Sequence, residues 1–161
     1  WFELACAHGD RDHALCGNQP GSLVVHSALA SRSSVLMDLD DDGDLDLVTA
    51  EFGDVPQVLV SDLADKRGAA LNFVKVKLTG TTSNQDAFGA VVTVTAAGQR
   101  WVQVHDGKSG YLAQSRLPLY FGLGARTRVE AIEVSWPSGH TSRLAGPLPV
   151  NGLVEVTESA P

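Results

Sequence analysis

The stretch Asp38-Leu39-Asp40-Asp41-Asp42-Gly43-Asp44-Leu45-Asp46 places six aspartates in nine residues. Carboxylates that dense repel one another unless a cation sits among them or water solvates them. Their order fits D-x-D-x-D-G-x-x-D, in which side chains at positions one, three and five of a tight loop converge on one point. A hard cation such as Ca2+ takes oxygen ligands of this kind. The expected set is Asp38, Asp40 and Asp42, the backbone carbonyl of Asp44, and Asp46 directly or through water. Gly43 falls where the chain must turn sharply around the ion. An EF-hand continues to a glutamate at position twelve, whereas that position here is Thr49, and β-prone residues flank the loop on both sides. The loop is therefore expected to close a β-hairpin.

The rest of the chain repeats the strand signal. Val74, Val76 and Leu78 alternate with Lys75 and Lys77, and Val92 and Val94 with Thr93 and Thr95. Trp101, Gln103 and His105 alternate with Val102 and Val104, Ile132, Val134 and Trp136 with Glu133 and Ser135, and Val154 and Val156 with Glu155 and Thr157. Shorter β-prone runs cover Ser22 to His26, Ser34 to Met37, the residues from Leu45, and Gln57 to Val60. Trp136-Pro137-Ser138-Gly139 reads as a turn between two strands. A short helix is expected only over Ser61 to Ala70. The pattern predicts an all-β chain in two parts, 1–65 with the aspartate loop and 66–161 as an antiparallel sandwich or barrel of about seven strands.

The formal net charge of −7 argues against nucleic acid as a partner, since phosphate backbones call for a basic face. No apolar run approaches the ~20 residues of a membrane span, so no membrane insertion is expected. The opening residue, Trp1, suggests a trimmed portion of a longer protein. Cys6 and Cys16 suit a disulfide closing a short loop, which implies an oxidising compartment: extracellular, periplasmic or cell-surface. The alternative is a zinc site in Cys-x-His-x4-His-x2-Cys order with His8 and His13, although the spacing departs from common zinc patterns.

Val35-Leu36-Met37-Asp38 through Asp46-Leu47-Val48 resembles the FG-GAP or VCBS-type repeat of integrin-like β-propellers, where such a loop binds calcium. Four further segments resemble the ASPIC/UnbV domain of the cartilage acidic protein family and its bacterial relatives. They are the residues from Gly80 to Ala90, from Gly107 to Ser115, from Tyr120 to Gly124, and from Val134 to Gly139. The resemblance implies a partial propeller-type hairpin unit followed by an ASPIC/UnbV β domain, with an extracellular binding or adhesion role. It carries over no catalytic residues.

Two functional readings follow. The first is a noncatalytic, secreted calcium-binding module that recognises a polysaccharide or a protein. Sugar rings stack on exposed aromatic faces, and Trp101, Tyr111 and Trp136 are the candidates in that order. Trp101 leads because it shares a face with Gln103 and His105, which reads as wet; the polar loop containing His105 and Asp106 is the other candidate surface. Residues such as Tyr111 and Trp136 are nevertheless more often core than ligand platform. The second reading is a domain of a secreted hydrolase or oxidoreductase using the His8–His13 segment or His105 with Asp106. No nucleophile elbow, zinc-protease motif or phosphate loop supports it.

Overall fold

Strand-forming alternation becomes pairing across most of the chain in a computed structural model that describes residues 2–5, 22–25, 30–63 and 71–159. β1 (Phe2–Ala5) and β2 (Ser22–Val25) pair antiparallel as a two-stranded sheet. β3 (Ser31–Met37), β4 (Asp46–Glu51) and β5 (Gln57–Leu59) form a three-stranded antiparallel sheet in that order. The remaining strands are β6 (Asn72–Thr79), β7 (Val91–Ala96), β8 (Gln99–Val104), β9 (Leu119–Gly124), β10 (Val129–Ser135), β11 (Thr141–Leu148) and β12 (Leu153–Thr157). They build one sheet ordered β11-β10-β7-β8 and another ordered β12-β6-β9.

These two sheets share one core, which makes the unit a β-sandwich. Val74, Val76 and Leu78 from β6, Phe121 and Leu123 from β9 and Val156 from β12 meet Val92, Val94, Ile132 and Val134 from the facing sheet. Each such side chain contributes about 1.5–3 kcal/mol on leaving water. Trp136 joins them at 3% exposure, and its indole Nε1 donates to Ser142 Oγ at 2.8 Å. The turn after it closes through Trp136 N to the His140 carbonyl at 2.9 Å.

Two expectations are corrected. The sandwich is not wholly antiparallel, because β12 pairs in parallel with β6, Leu153 opposite Lys75 and Thr157 opposite Thr79. The wet face assigned to β8 is also reversed. Trp101 and Gln103 are half-buried and Trp101 packs against the core, whereas Val102 and Val104 are the exposed residues. Alternation defines two faces of a strand but not which is covered, and β8 is an edge strand whose outer face carries its valines.

The end of β12 is fastened by one side chain. Glu158 is buried, and its Oε2 accepts from the amides of Thr81, Thr82 and Ser83 at 2.9, 2.9 and 2.7 Å. Its Oε1 accepts from Ser83 Oγ at 2.9 Å and from Ser138 Oγ. Burial raises the carboxyl pKa, but the bonds from Ser138, Ser83 and Thr81 outweigh it and hold it down at about 2.

The β3–β5 sheet is joined to the sandwich by main chain. Ser34 N donates to the Ser109 carbonyl at 3.1 Å and Tyr111 N to the Arg32 carbonyl at 2.8 Å, so the 109–111 segment lies along the edge of β3. The expected helix falls mostly on residues 64–70, and the Cys6/Cys16 disulfide and the His8–His13 segment also fall outside the described residues.

Candidate metal centre

The aspartate loop connects β3 to β4, as a hairpin whose last paired residues are Met37 and Asp46. Two residues in it have left-handed backbone, Asp41 at φ 61° and Gly43 at φ 95°. The turn is tight enough that Asp42 Oδ1 accepts from the Asp44 amide at 2.9 Å. One carboxylate oxygen from each of Asp38, Asp40 and Asp42 comes within 4.8 Å of the others. Oxygens bound to one calcium at about 2.3–2.6 Å stand no more than about 5 Å apart, so these three fit a single ion.

Asp46 has a different place. Its Oδ2 accepts from Leu39 N at 2.6 Å and its Oδ1 from Ser61 N at 2.8 Å. Fully buried, it ties the two ends of the loop and the end of β5 together rather than joining the trio. Asp44 is buried as well. The Asp38 side chain is wholly buried, and neither oxygen accepts a well-oriented hydrogen bond from the described residues, although Lys75 Nζ stands 3.1 Å from Oδ2. The Asp44 amide lowers the Asp42 pKa, but desolvation and the charges of Asp40, Asp44 and Asp38 raise it to a net upward shift. A dication held there would relieve that strain.

The outer face of β6 and β9 forms the floor of the loop. Lys75 and Tyr120 are paired across these strands, and the Tyr120 ring stacks on Phe73 with centroids 5.1 Å apart. Tyr120 Oη donates to the Gly43 carbonyl at 2.6 Å. Burial, then the charges of Asp38, Asp44 and Asp42, push its pKa up to about 12, so it remains a donor across physiological pH. Lys75 Nζ also donates to Asp41 Oδ1 at 3.0 Å. A Cβ on Gly43 would lie 3.0 Å from the Leu71 carbonyl oxygen and 3.3 Å from the Phe73 ring.

Sequence reasoning found the loop but not its floor. Lys75 stood out only as the polar side of an alternating strand, and Tyr120 only as part of a resemblance. Their meeting depends on the pairing of β6 with β9, which no local signal encodes.

Among the described residues, the other candidates do not assemble into one site. Tyr111 is 62% exposed, and the Arg32 guanidinium stands 5.4 Å from its ring centroid and 3.9 Å from that of Phe52. Trp136 is core, the more common place for such a ring, and so offers no face to a sugar. Trp101 carries Arg126 on its ring at 5.0 Å. His105 is buried against Phe88, and burial lowers its pKa despite opposing contributions from Asp86 and Asp106. Asp106 faces outward, where its Oδ1 accepts from Lys108 N at 3.0 Å.

The fold and loop define an all-β module in which an aspartate-rich hairpin is seated on a β-sandwich. The family model described as ASPIC and UnbV matches residues 80–161, and the chain belongs to that family. The match begins just after β6, although β6 is the central strand of one sheet. Among curated proteins the chain is similar to cartilage acidic protein 1 of Mus musculus, at 33% identity over 124 residues, 76% of this chain and 19% of the relative. Cartilage acidic protein 1 of Homo sapiens is 32% identical over 124 residues, 76% and 18% of the two chains. That of Xenopus tropicalis is 35% identical over 103 residues, 63% and 16%. The chain thus spans less than a fifth of the length of these relatives.

Proposed function

We propose that this chain is a noncatalytic extracellular module that binds calcium in the aspartate loop and recognises a polysaccharide or protein partner. The observation that carries the metal reading is the convergence of Asp38, Asp40 and Asp42, with Asp38 buried among them. The β3–β5 sheet with its loop suits a piece of an FG-GAP-type propeller blade. In support, Leu36, Val55, Val58 and Val60 are all more than half exposed on that unit, as strands awaiting further cover would be. The extracellular setting is supported by the kinship with cartilage acidic protein 1 and by the pair of cysteines.

Calorimetric titration is expected to show one calcium per chain, with an affinity in the range of extracellular modules, roughly 10⁻⁴–10⁻³ M. Calcium in excess raises the melting temperature by linkage, and a chelator reverses the rise. Asp40→Asn with Asp42→Asn abolishes both effects. Absence of calcium heat together with unchanged melting defeats the metal reading.

For the partner, Tyr111 now leads, because only an exposed ring can stack on a sugar. Tyr111→Ala is expected to reduce retention on a polysaccharide column without changing the melting temperature, whereas Trp101→Ala lowers the melting temperature. If the wild type ignores every polysaccharide tried, the protein partner is the reading that stands.

A further inference from the structure

We propose that Lys75 is a resident counter-cation of the aspartate loop, which clasps the loop to the sandwich without metal and competes with calcium for the charge of Asp38. The inference rests on the calcium reading above and adds a regulation of that site by the neighbouring domain.

Lys75 lies on β6, between the core residues Val74 and Val76, and its side chain is only 21% exposed. The ammonium reaches out of the sandwich to two loop residues with different roles. Asp38, 3.1 Å away, is one of the converging trio; Asp41, 3.0 Å away, is not, and its side chain is 84% exposed. The Phe73 ring centroid stands 5.1 Å from the same nitrogen, and Tyr120 on the paired strand holds the Gly43 carbonyl. Lys75 and Tyr120 thus hold one loop at three points, Asp38, Asp41 and Gly43. Lys75 itself forms ion pairs with two residues of this loop at once.

The electrostatics follow from these contacts. Without metal, the trio carries three negative charges, and Lys75 offsets one of them at a buried carboxylate that accepts no well-oriented hydrogen bond from the described residues. With metal, a fixed positive charge next to a ligand repels the incoming dication and divides the charge of Asp38 between two cations. Lys75 therefore raises the stability of the metal-free loop and lowers the affinity for calcium. The difference between the two states is kept small, which suits a site that responds to calcium rather than one that is permanently filled.

The test compares wild type with Lys75→Met, which keeps the stem and removes the charge, and with Lys75→Arg, which keeps the charge. Calcium is titrated calorimetrically into each, and melting is recorded in chelator and in excess calcium. Lys75→Met is expected to bind calcium about tenfold more tightly. It should melt earlier in chelator and show a larger calcium-induced rise than wild type; Lys75→Arg stays close to wild type. Lys75→Gln takes the place of Lys75→Met if that protein does not fold. Calcium binding of equal or weaker affinity in the charge-removed variant overturns this proposal alone. Absence of calcium heat in every protein overturns the calcium reading and this inference with it.

Discussion

Glu158→Ala is expected to lower the melting temperature by on the order of 10 °C, more than any other single change outside the hydrophobic core. The carboxylate is the acceptor for three consecutive amides, those of Thr81, Thr82 and Ser83, and for two hydroxyls. Alanine leaves those donors facing a buried space with no acceptor, which costs more than the bonds themselves contribute. The pH dependence has a definite sign. The folded carboxyl titrates at about 2, below its ordinary 4.5. Its contribution is therefore complete above about pH 4.5 and is lost as the pH falls from there towards 2. Melting curves of wild type and Glu158→Gln between pH 7 and 2 check this. The wild type should lose stability more steeply below pH 4.5, and parallel profiles would show that Glu158 is not the pin described here.

Gly43→Val is expected to weaken calcium binding by about 10- to 100-fold while the sandwich stays folded. Two effects add. At φ 95° a β-branched residue is strained, and its Cβ would stand 3.0 Å from the Leu71 carbonyl oxygen, which is backbone and cannot swing aside. Relief requires the loop to lift from Phe73 and Tyr120, breaking the bond from Tyr120 Oη to the Gly43 carbonyl. None of the sandwich core residues lies in this loop. Near-UV circular dichroism should then retain the signal of buried Trp136 while the calcium heat falls. A Gly43→Val protein that binds calcium like wild type would mean that the seated geometry is not the binding one.

The strand content was largely legible because period-two alternation is a local property: Val74, Val76 and Leu78 point into the core, with Lys75 and Lys77 on the other face. The turn after Trp136 and the aspartate hairpin were readable for the same reason. What the sequence did not disclose is long-range. Nothing near Val154 says that its strand runs parallel to β6, some eighty positions earlier, and most antiparallel meanders give no warning of such a return. Trp101 was misread because Gln103 and His105 look like surface residues. In the fold, Gln103 Nε2 donates to the Tyr120 carbonyl at 2.7 Å, and His105 is enclosed beside Phe88. A polar side chain with a partner is as compatible with the interior as an apolar one. The loop geometry was half legible: spacing placed Asp38, Asp40 and Asp42 together, and their carboxylates do converge, but nothing in it told that the oxygens of Asp46 are engaged by the amides of Leu39 and Ser61.

The parallel return of β12 to β6 has a mechanical consequence. Tension entering at Asn72 and leaving at Thr157 pulls the two strands along their length in opposite directions. The bonds between them are then loaded together, in shear, instead of opening one after another like a zip. Glu158 sits at the end of that seam and fastens the pulled strand to the 81–83 turn. A module built this way transmits force between its two ends through its strongest direction, a useful property for any domain strung in series within a longer chain outside the cell.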